Sequence, residues 1–312
     1  MKPIPLILDC DPGHDDALAI ILAANNPALK LLGITTVSGN GGIAKVTLNA
    51  RRVATLVNLN VPIAEGAGKA ILGAIEEASD IHGESALDGA PLPEPKIELS
   101  KLHAVDLIAK LITEHPEPVT LVATGPLTNI ALFLKMYPNL KNKVSEIVFM
   151  GGSASRGNRT PYAEFNIWMD PEGADVVFRS GIPLTMCGLD VTHQALVTKE
   201  IFEKLSEMKT PLSQTIIGLL KFFAKTYDEV FEMPDPPLHD PVAIALLIDR
   251  TVVKSRFVNV QVELNGTLTR GATVVDIFTK MGQPANCHVA LDLDADKFWK
   301  LMLDAIEKAA KR

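Results

Sequence analysis

Cysteine is scarce in this chain, with three among 312 residues. Cys10, Cys187 and Cys287 are scattered and odd in number. That excludes a disulfide framework and points to a reducing compartment. A basic excess is also missing, since Lys and Arg total 30 against 37 Asp and Glu, for a net charge of −7. No surface for nucleic acid or an anionic membrane is implied. No apolar run approaches the ~18 residues of a membrane span. Met1-Lys2-Pro3-Ile4-Pro5 leads straight into a strand-like run, without a signal-like segment. The expected location is the cytoplasm. Repeats and low-complexity tracts are absent. The first β–α turn lacks the glycine-rich pyrophosphate fingerprint, which argues against a nicotinamide-dependent enzyme.

What is present begins near the amino terminus. The apolar run Ile4–Leu8 reads as a buried strand, and Ala17–Ala24 as a buried helix. Between them lies Asp9-Cys10-Asp11-Pro12-Gly13-His14-Asp15-Asp16. These carboxylates sit at the carboxyl end of a strand, where open α/β folds place ligands. So many carboxylates repel one another unless a cation neutralises them. Ligands that are all oxygen suit a hard ion, calcium or magnesium.

Strand-like and helix-like segments then alternate. Strands are expected at Leu29–Val37, Val119–Thr124, Ile147–Gly151 and Pro183–Cys187. Helices are expected at Ile43–Val57, Ala104–Glu114, Leu127–Met136 and Pro171–Arg179. The carboxyl third adds helices at Pro211–Tyr227, His239–Ile248 and Lys297–Ala309. It also adds strands at Arg256–Glu263, Ala272–Phe278 and Cys287–Leu291. This order implies an α/β fold with a mostly parallel, Rossmann-like central sheet flanked by helices. The segments Gly66–Ser100 and Met233–Pro237 read as active-site loops rather than domain boundaries, so residues 1–312 are expected to form a single domain.

Other strand ends carry polar or glycine-rich loops: Ser38–Gly42, Thr124–Asn129, Gly151-Gly152 and, late in the chain, Leu238–Pro241. A parallel sheet brings them to one edge. Singly, each has a plainer explanation. Gly39-Asn40-Gly41 is commonly a turn. Asp240, before Pro241 and an apolar helix, is commonly an N-cap. A lone His239 is most often a satisfied histidine, and His82 can be a surface loop residue. A cap needs one carboxylate, however, and Asp9–Asp16 supplies several.

Taken in order, these segments resemble the nucleoside hydrolase family. Asp9-x-Asp11-Pro-Gly-His-Asp15-Asp16 is similar to its amino-terminal signature. Asp80-Ile81-His82-Gly83 with Leu87-Asp88-Gly89, and Thr124–Asn129, follow as in the family. So do Met150-Gly151-Gly152, Glu164-Phe165-Asn166 with Asp170-Pro171-Glu172, Leu189–Thr192 and Leu238–Pro241. One departure is Ala86, where relatives often carry glycine. The resemblance implies one calcium ion per subunit, held by Asp11, Asp16, Asp240 and the Thr124 carbonyl. It implies Asp11 as general base, with Asp9 supporting the metal loop. Ribose would be held by Asp15, Asn40, Asn158, Glu164 and Asn166, with Met150 packing near it. Tyr227, Asp228, Phe231 and part of Gly66–Ser100 would shape the base pocket, and Phe165 is a further substrate-side candidate. Read as extended, Glu164–Asn166 turns Phe165 away from its neighbours. The resemblance also implies a homo-oligomer, tetramer or dimer.

The implied reaction is hydrolysis of ribonucleosides to ribose and free base, in nucleoside salvage or catabolism. Its oxocarbenium-like transition state resembles that of glycoside hydrolysis. A bound cation positions and acidifies the water, and a carboxylate takes its proton. His82 and His239, with ordinary pKa values near ~6.5, are the expected proton donors to the base. Histidines in these positions accompany pyrimidine preference, for uridine and cytidine, with inosine as a further substrate. An aspartyl-nucleophile phosphatase also places Asp-x-Asp after a first strand, but it needs a phosphate-binding lysine that these loops lack. A module that binds a nucleoside or calcium without turnover is the non-enzymatic alternative, and intact Asp11, His82 and His239 argue against it.

Overall fold

A computed structural model describes residues 2–73 and 77–311. Among the described residues ten strands form: β1 Ile4–Cys10, β2 Leu29–Thr36, β3 Ile63–Glu65, β4 Val119–Ala123, β5 Val144–Met150, β6 Leu184–Cys187, β7 Val253–Val258, β8 Val260–Val262, β9 Thr273–Val275 and β10 Cys287–Leu293. Eight build one sheet in the order β3-β2-β1-β4-β5-β6-β10-β7. Its pairs are parallel except β10–β7. The expected mostly parallel sheet is therefore present.

Strand alternation divides the core into two layers. Leu6, Leu8 and Cys10 of β1 face one apolar cluster, which takes in helices His14–Asn25, Pro241–Ile248 and Ala295–Ala309. Ile7 faces the other, with helices Ala104–Glu114, Thr128–Met136 and Pro171–Phe178. Asp9 pairs in register with Thr35 on one side and Ala123 on the other. The loops after β1, β2 and β4 thus leave the sheet at one level. Among the described residues, no helix is long and apolar enough to cross a membrane.

Two expectations change in detail. The first helix starts at His14, not Ala17, so Asp15 and Asp16 lie in its first turn. There the helix dipole favours negative charge. The strand expected over Arg256–Glu263 breaks at Asn259. The Asn259 side chain donates to the Pro284 carbonyl at 2.8 Å, and its own carbonyl accepts from Asp276 N at 2.9 Å. β7 stays on the main sheet as its edge strand, while β8 pairs antiparallel with β9 in a separate hairpin.

Candidate active site

At the carboxyl edge of the sheet lies a cavity of about 240 Å³. Its floor is acidic. Asp15, Asp16 and Asp240 each bring a carboxylate oxygen within 4.8 Å of the others, and all three are buried. Asp240 occupies the N-cap position of the helix Pro241–Ile248, yet its side chain makes no capping bond. It belongs to the carboxylate group instead, which removes the plainer N-cap explanation.

Asp11 lies just beneath. Its Oδ2 accepts from Asn40 N at 2.7 Å, whereas its buried Oδ1 has no hydrogen-bond partner among the described residues. Backbone closes tightly around this carboxyl group. A Cβ at Gly125 would come within 2.6 Å of Oδ1, and one at Gly39 closer still to Oδ2. Glycine is required at both positions by this close approach. Asp16 accepts from Gly13 N at 3.1 Å, Asn40 Nδ2 at 3.2 Å and Thr124 Oγ1 at 2.7 Å. Asp9 ties the strand ends together, accepting from Thr35 Oγ1 at 2.6 Å and Asn129 Nδ2 at 2.8 Å.

Burial, and then the neighbouring carboxylates, disfavour ionisation here. Burial followed by Asp16 pushes Asp15 up to about 7, and burial pushes Asp9 up to about 7. Burial and the neighbouring acids drive Asp11 and Asp240 well above the carboxylate range. A buried group of oxygens that resists ionisation, with one oxygen orphaned, is chemically suited to a hard divalent cation. The sign of the stability effect follows. A carboxyl group raised from 3.8 to about 7 on folding stabilises the cation-free fold at acid pH. That contribution is lost as pH rises through about 7. The melting temperatures of stripped and cation-loaded protein should therefore diverge between pH 4 and 7, with the stripped form falling behind. A constant gap across that range would show that the carboxylates are not the cation site.

The wall above is polar on one side. Glu164 caps the short helix Phe165–Met169, accepting from Asn166 N at 3.0 Å, Ile167 N at 3.3 Å and Gly152 N at 2.8 Å. The segment is helical from Phe165, not extended, so Phe165 lines the cavity together with Glu164 and Asn166. Asn166 Nδ2 donates to the Thr124 carbonyl at 2.9 Å and the Met150 carbonyl at 3.1 Å. Asn158 Oδ1 accepts from Phe165 N at 2.9 Å.

The opposite wall is aromatic. Tyr227, Phe231 and Phe223 of the helix Pro211–Phe231 line it, as do Ile81 and His82. Tyr227 Oη lies 2.7 Å from His239 Nε2, and His239 Nδ1 lies 2.7 Å from Thr192 Oγ1. His82 is buried rather than on the surface, and its Nδ1 lies 3.0 Å from His14 Nδ1. Burial pushes both His82 and His239 well below the usual histidine range. Neither ring therefore carries a spare proton at neutral pH, which changes the picture of two ready imidazolium donors. Burial also keeps the Tyr227 phenol protonated, well above its ordinary pKa.

A family model described as inosine-uridine preferring nucleoside hydrolase matches residues 6–300. The chain belongs to the nucleoside hydrolase family. Its reaction is hydrolysis of the N-glycosidic bond of ribonucleosides. Among similar proteins, the pyrimidine-specific ribonucleoside hydrolase RihA of Photobacterium profundum is 46% identical over 304 residues, covering 97% of this chain and 98% of that one. The inosine-uridine preferring nucleoside hydrolase of Leishmania major is 45% identical over 311 residues, covering 98% of each. The solved structure of a purine-preferring ribonucleoside hydrolase from Gardnerella vaginalis superimposes with a TM-score of 0.92 at 33% identity, covering 98% of this chain and 99% of that one.

Nearly all of the residues singled out in this nucleoside hydrolase by sequence converge on the cavity. Asp15, Asn40, His82, Thr124, Met150, Asn158, Glu164, Phe165, Asn166, Tyr227, Phe231, His239 and Asp240 line it. Asp11 and Asp16 lie below its surface, both fully buried. Asp15 joins Asp16 and Asp240 in the carboxylate group, a position the resemblance had given to ribose. Asp228 does not line the cavity; one helical residue beyond Tyr227, it turns to solvent. Phe223 and Arg159 were missed. Phe223 lies one turn before Tyr227 on the same helix face, a spacing that could have revealed it. Ala86 has φ +64 and is buried, a backbone state that suits the glycine expected there and costs alanine ~1 kcal/mol.

Proposed function

We propose that this hydrolase acts on pyrimidine ribonucleosides, uridine and cytidine, with inosine as a further substrate. A calcium ion would be held by Asp11, Asp16, Asp240 and the Thr124 carbonyl, with Asp15 beside them. The buried carboxylate group at the cavity floor carries this reading. When bound, calcium supplies charge that acidifies and positions a water and orients the ribose diol.

The protein's own groups do the rest. Asp11, with one unpartnered buried oxygen, takes the proton of the attacking water. Asp15, Asn40, Asn158, Glu164 and Asn166 hold the ribose. Glu164 faces the ring with a carboxylate fixed by three backbone N–H groups, placed to stabilise the developing positive charge. Water oxygen bonds to C1′ as the C1′–N bond breaks, and the departing base takes a proton. Tyr227 is the group positioned to give it. Thr192 Oγ1 and Tyr227 Oη lie 2.7 Å from the two ring nitrogens of His239; in the tautomer with hydrogen on Nε2, His239 donates to the phenol oxygen and leaves the phenol proton free to point at the base. The pyrimidine preference is supported by the 46% identity to a pyrimidine-specific relative.

Tyr227→Phe keeps the ring and removes the proton. Its kcat/KM for uridine should fall by ~10²–10⁴. Its turnover of p-nitrophenyl riboside, whose leaving group needs no proton, should change only a few-fold. Equal losses on both substrates would assign Tyr227 to positioning the sugar.

A further inference from the structure

Thr226 does not line the cavity, yet it bonds to the backbone that carries one of the walls. It is buried in the helix Pro211–Phe231, between Phe223 and Tyr227. Its hydroxyl donates to the Ile81 carbonyl at 2.7 Å, across 145 residues of chain. Ile81 and His82 both line the cavity, and they belong to the one-turn helix Ser79–His82. So short a helix does not hold itself together. The peptide unit between Ile81 and His82 is fixed at both ends. Thr226 holds its carbonyl, and its N–H donates to Ala78 O at 3.0 Å. The turn's backbone bonds, such as Gly83 N to Ser79 O at 3.1 Å and Asp88 N to His82 O at 3.2 Å, stay within residues 78–88. Among the described residues, Thr226 makes the one hydrogen bond that joins this segment to the helix Pro211–Phe231. The apolar support is slight. Ile81 packs with Phe223 and Tyr227 in a small cluster apart from the two core layers. A segment with so few buried partners opens at low cost. The Thr226 hydroxyl has a single hydrogen. Its other acceptors lie in its own helix, the Phe223 carbonyl at 3.1 Å and the Phe222 carbonyl at 3.4 Å. These take the hydrogen when the turn moves away, so release leaves no buried donor unpaired.

We infer that Thr226 is a positioning residue for base recognition, whose hydroxyl holds the Ile81–His82 turn against the helix that carries Tyr227. The two walls then meet the base at a fixed separation. This rests on the reading of the cavity as a nucleoside site. The sugar end of the cavity is built from other elements, the carboxylate floor and the helix Phe165–Met169. Base binding therefore depends on the Thr226 bond, and sugar binding does not. Without the bond the turn is in place for only a fraction of the time, and the apparent affinity for a base-bearing substrate falls by that fraction. A bound substrate itself holds the turn, so turnover after binding is kept.

The experiment compares Thr226→Val, which keeps the shape and removes the donor, with Thr226→Ser, which keeps the donor. In Thr226→Val the KM for uridine should rise about 3- to 10-fold, the worth of one net hydrogen bond. Its kcat should stay within about two-fold of the wild type, as loss of uniform binding requires. Inhibition by ribose, which has no base to reach the turn, should be unchanged. Thr226→Ser should return the KM to near the wild-type value. An unchanged KM in Thr226→Val overturns the inference, as does a loss confined to kcat. Equal weakening of uridine and ribose marks general damage and overturns it too, and so does a serine variant that rescues nothing. Amide hydrogen exchange of the wild type reads the turn without any variant. The His82 and Gly83 N–H groups should exchange about 10-fold or more slowly than in an unstructured chain, even without substrate. Exchange at the unstructured rate overturns the inference even if the valine variant does not fold. Failure of the wild type to release ribose from uridine would instead strike the nucleoside reading, with the exchange result still deciding whether the turn is held.

Discussion

Stripping divalent cations from the purified protein should abolish ribose release from uridine, and restoring calcium should bring it back. The expectation follows from how the floor of the cavity is built. Asp15, Asp16 and Asp240 are buried with their oxygens within 4.8 Å of one another, beside the orphaned Oδ1 of Asp11. Without a cation, burial and then mutual repulsion disfavour charge on these groups, pushing Asp15 up to about 7, Asp11 and Asp240 well above the carboxylate range, and Asp16 upward. A protonated Asp11 cannot act as a base. Cation loss therefore removes the water's activation and the base together, which justifies an effect larger than any single substitution on the cavity wall. Metal analysis of the active protein should give about one equivalent of calcium or a similar hard ion. Full turnover by protein shown to be cation-free would end this part of the account.

Asp11→Asn should cost ~10²–10⁴ in kcat while the fold and the cavity wall persist. The amide keeps the shape of the carboxylate in a space so tight that Gly39 and Gly125 admit no Cβ. It keeps an oxygen as well, but it cannot take the proton from water. Cation content has to be measured on the same variant, since loss of a ligand adds to loss of a base. Normal cation content with near-normal kcat would remove Asp11 as the base.

Much of the fold and of the cavity lining was legible in the sequence, for physical reasons that differ by element. β4 and the later residues of β1, β2 and β5 are buried on both faces, and these strands are rich enough in apolar residues to carry their signal in composition. The acidic loop after β1 was legible because so many carboxylates have no ordinary structural use. β3 was not, since it has only three residues, Ile63–Glu65, and follows Pro62. The helix Lys199–Glu207 buries only Ile201 and Leu205, a narrow stripe in a charged segment. The short helix Phe165–Met169 is set by the Glu164 cap rather than by periodicity, so its residues read as extended. The histidine chemistry was the least legible. The pairing of His14 with His82 spans 68 residues, and that of Tyr227 with His239 depends on a helix meeting a loop. Their shifted proton affinities come from burial that only the assembled cavity produces.

The most direct test of the whole account is the product formed from uridine by the calcium-loaded protein in phosphate buffer. Attack by water at the carboxylate cluster predicts uracil and free ribose in equal amounts, at a rate independent of phosphate. Ribose 1-phosphate as the sugar product, or uridine left intact, would contradict it.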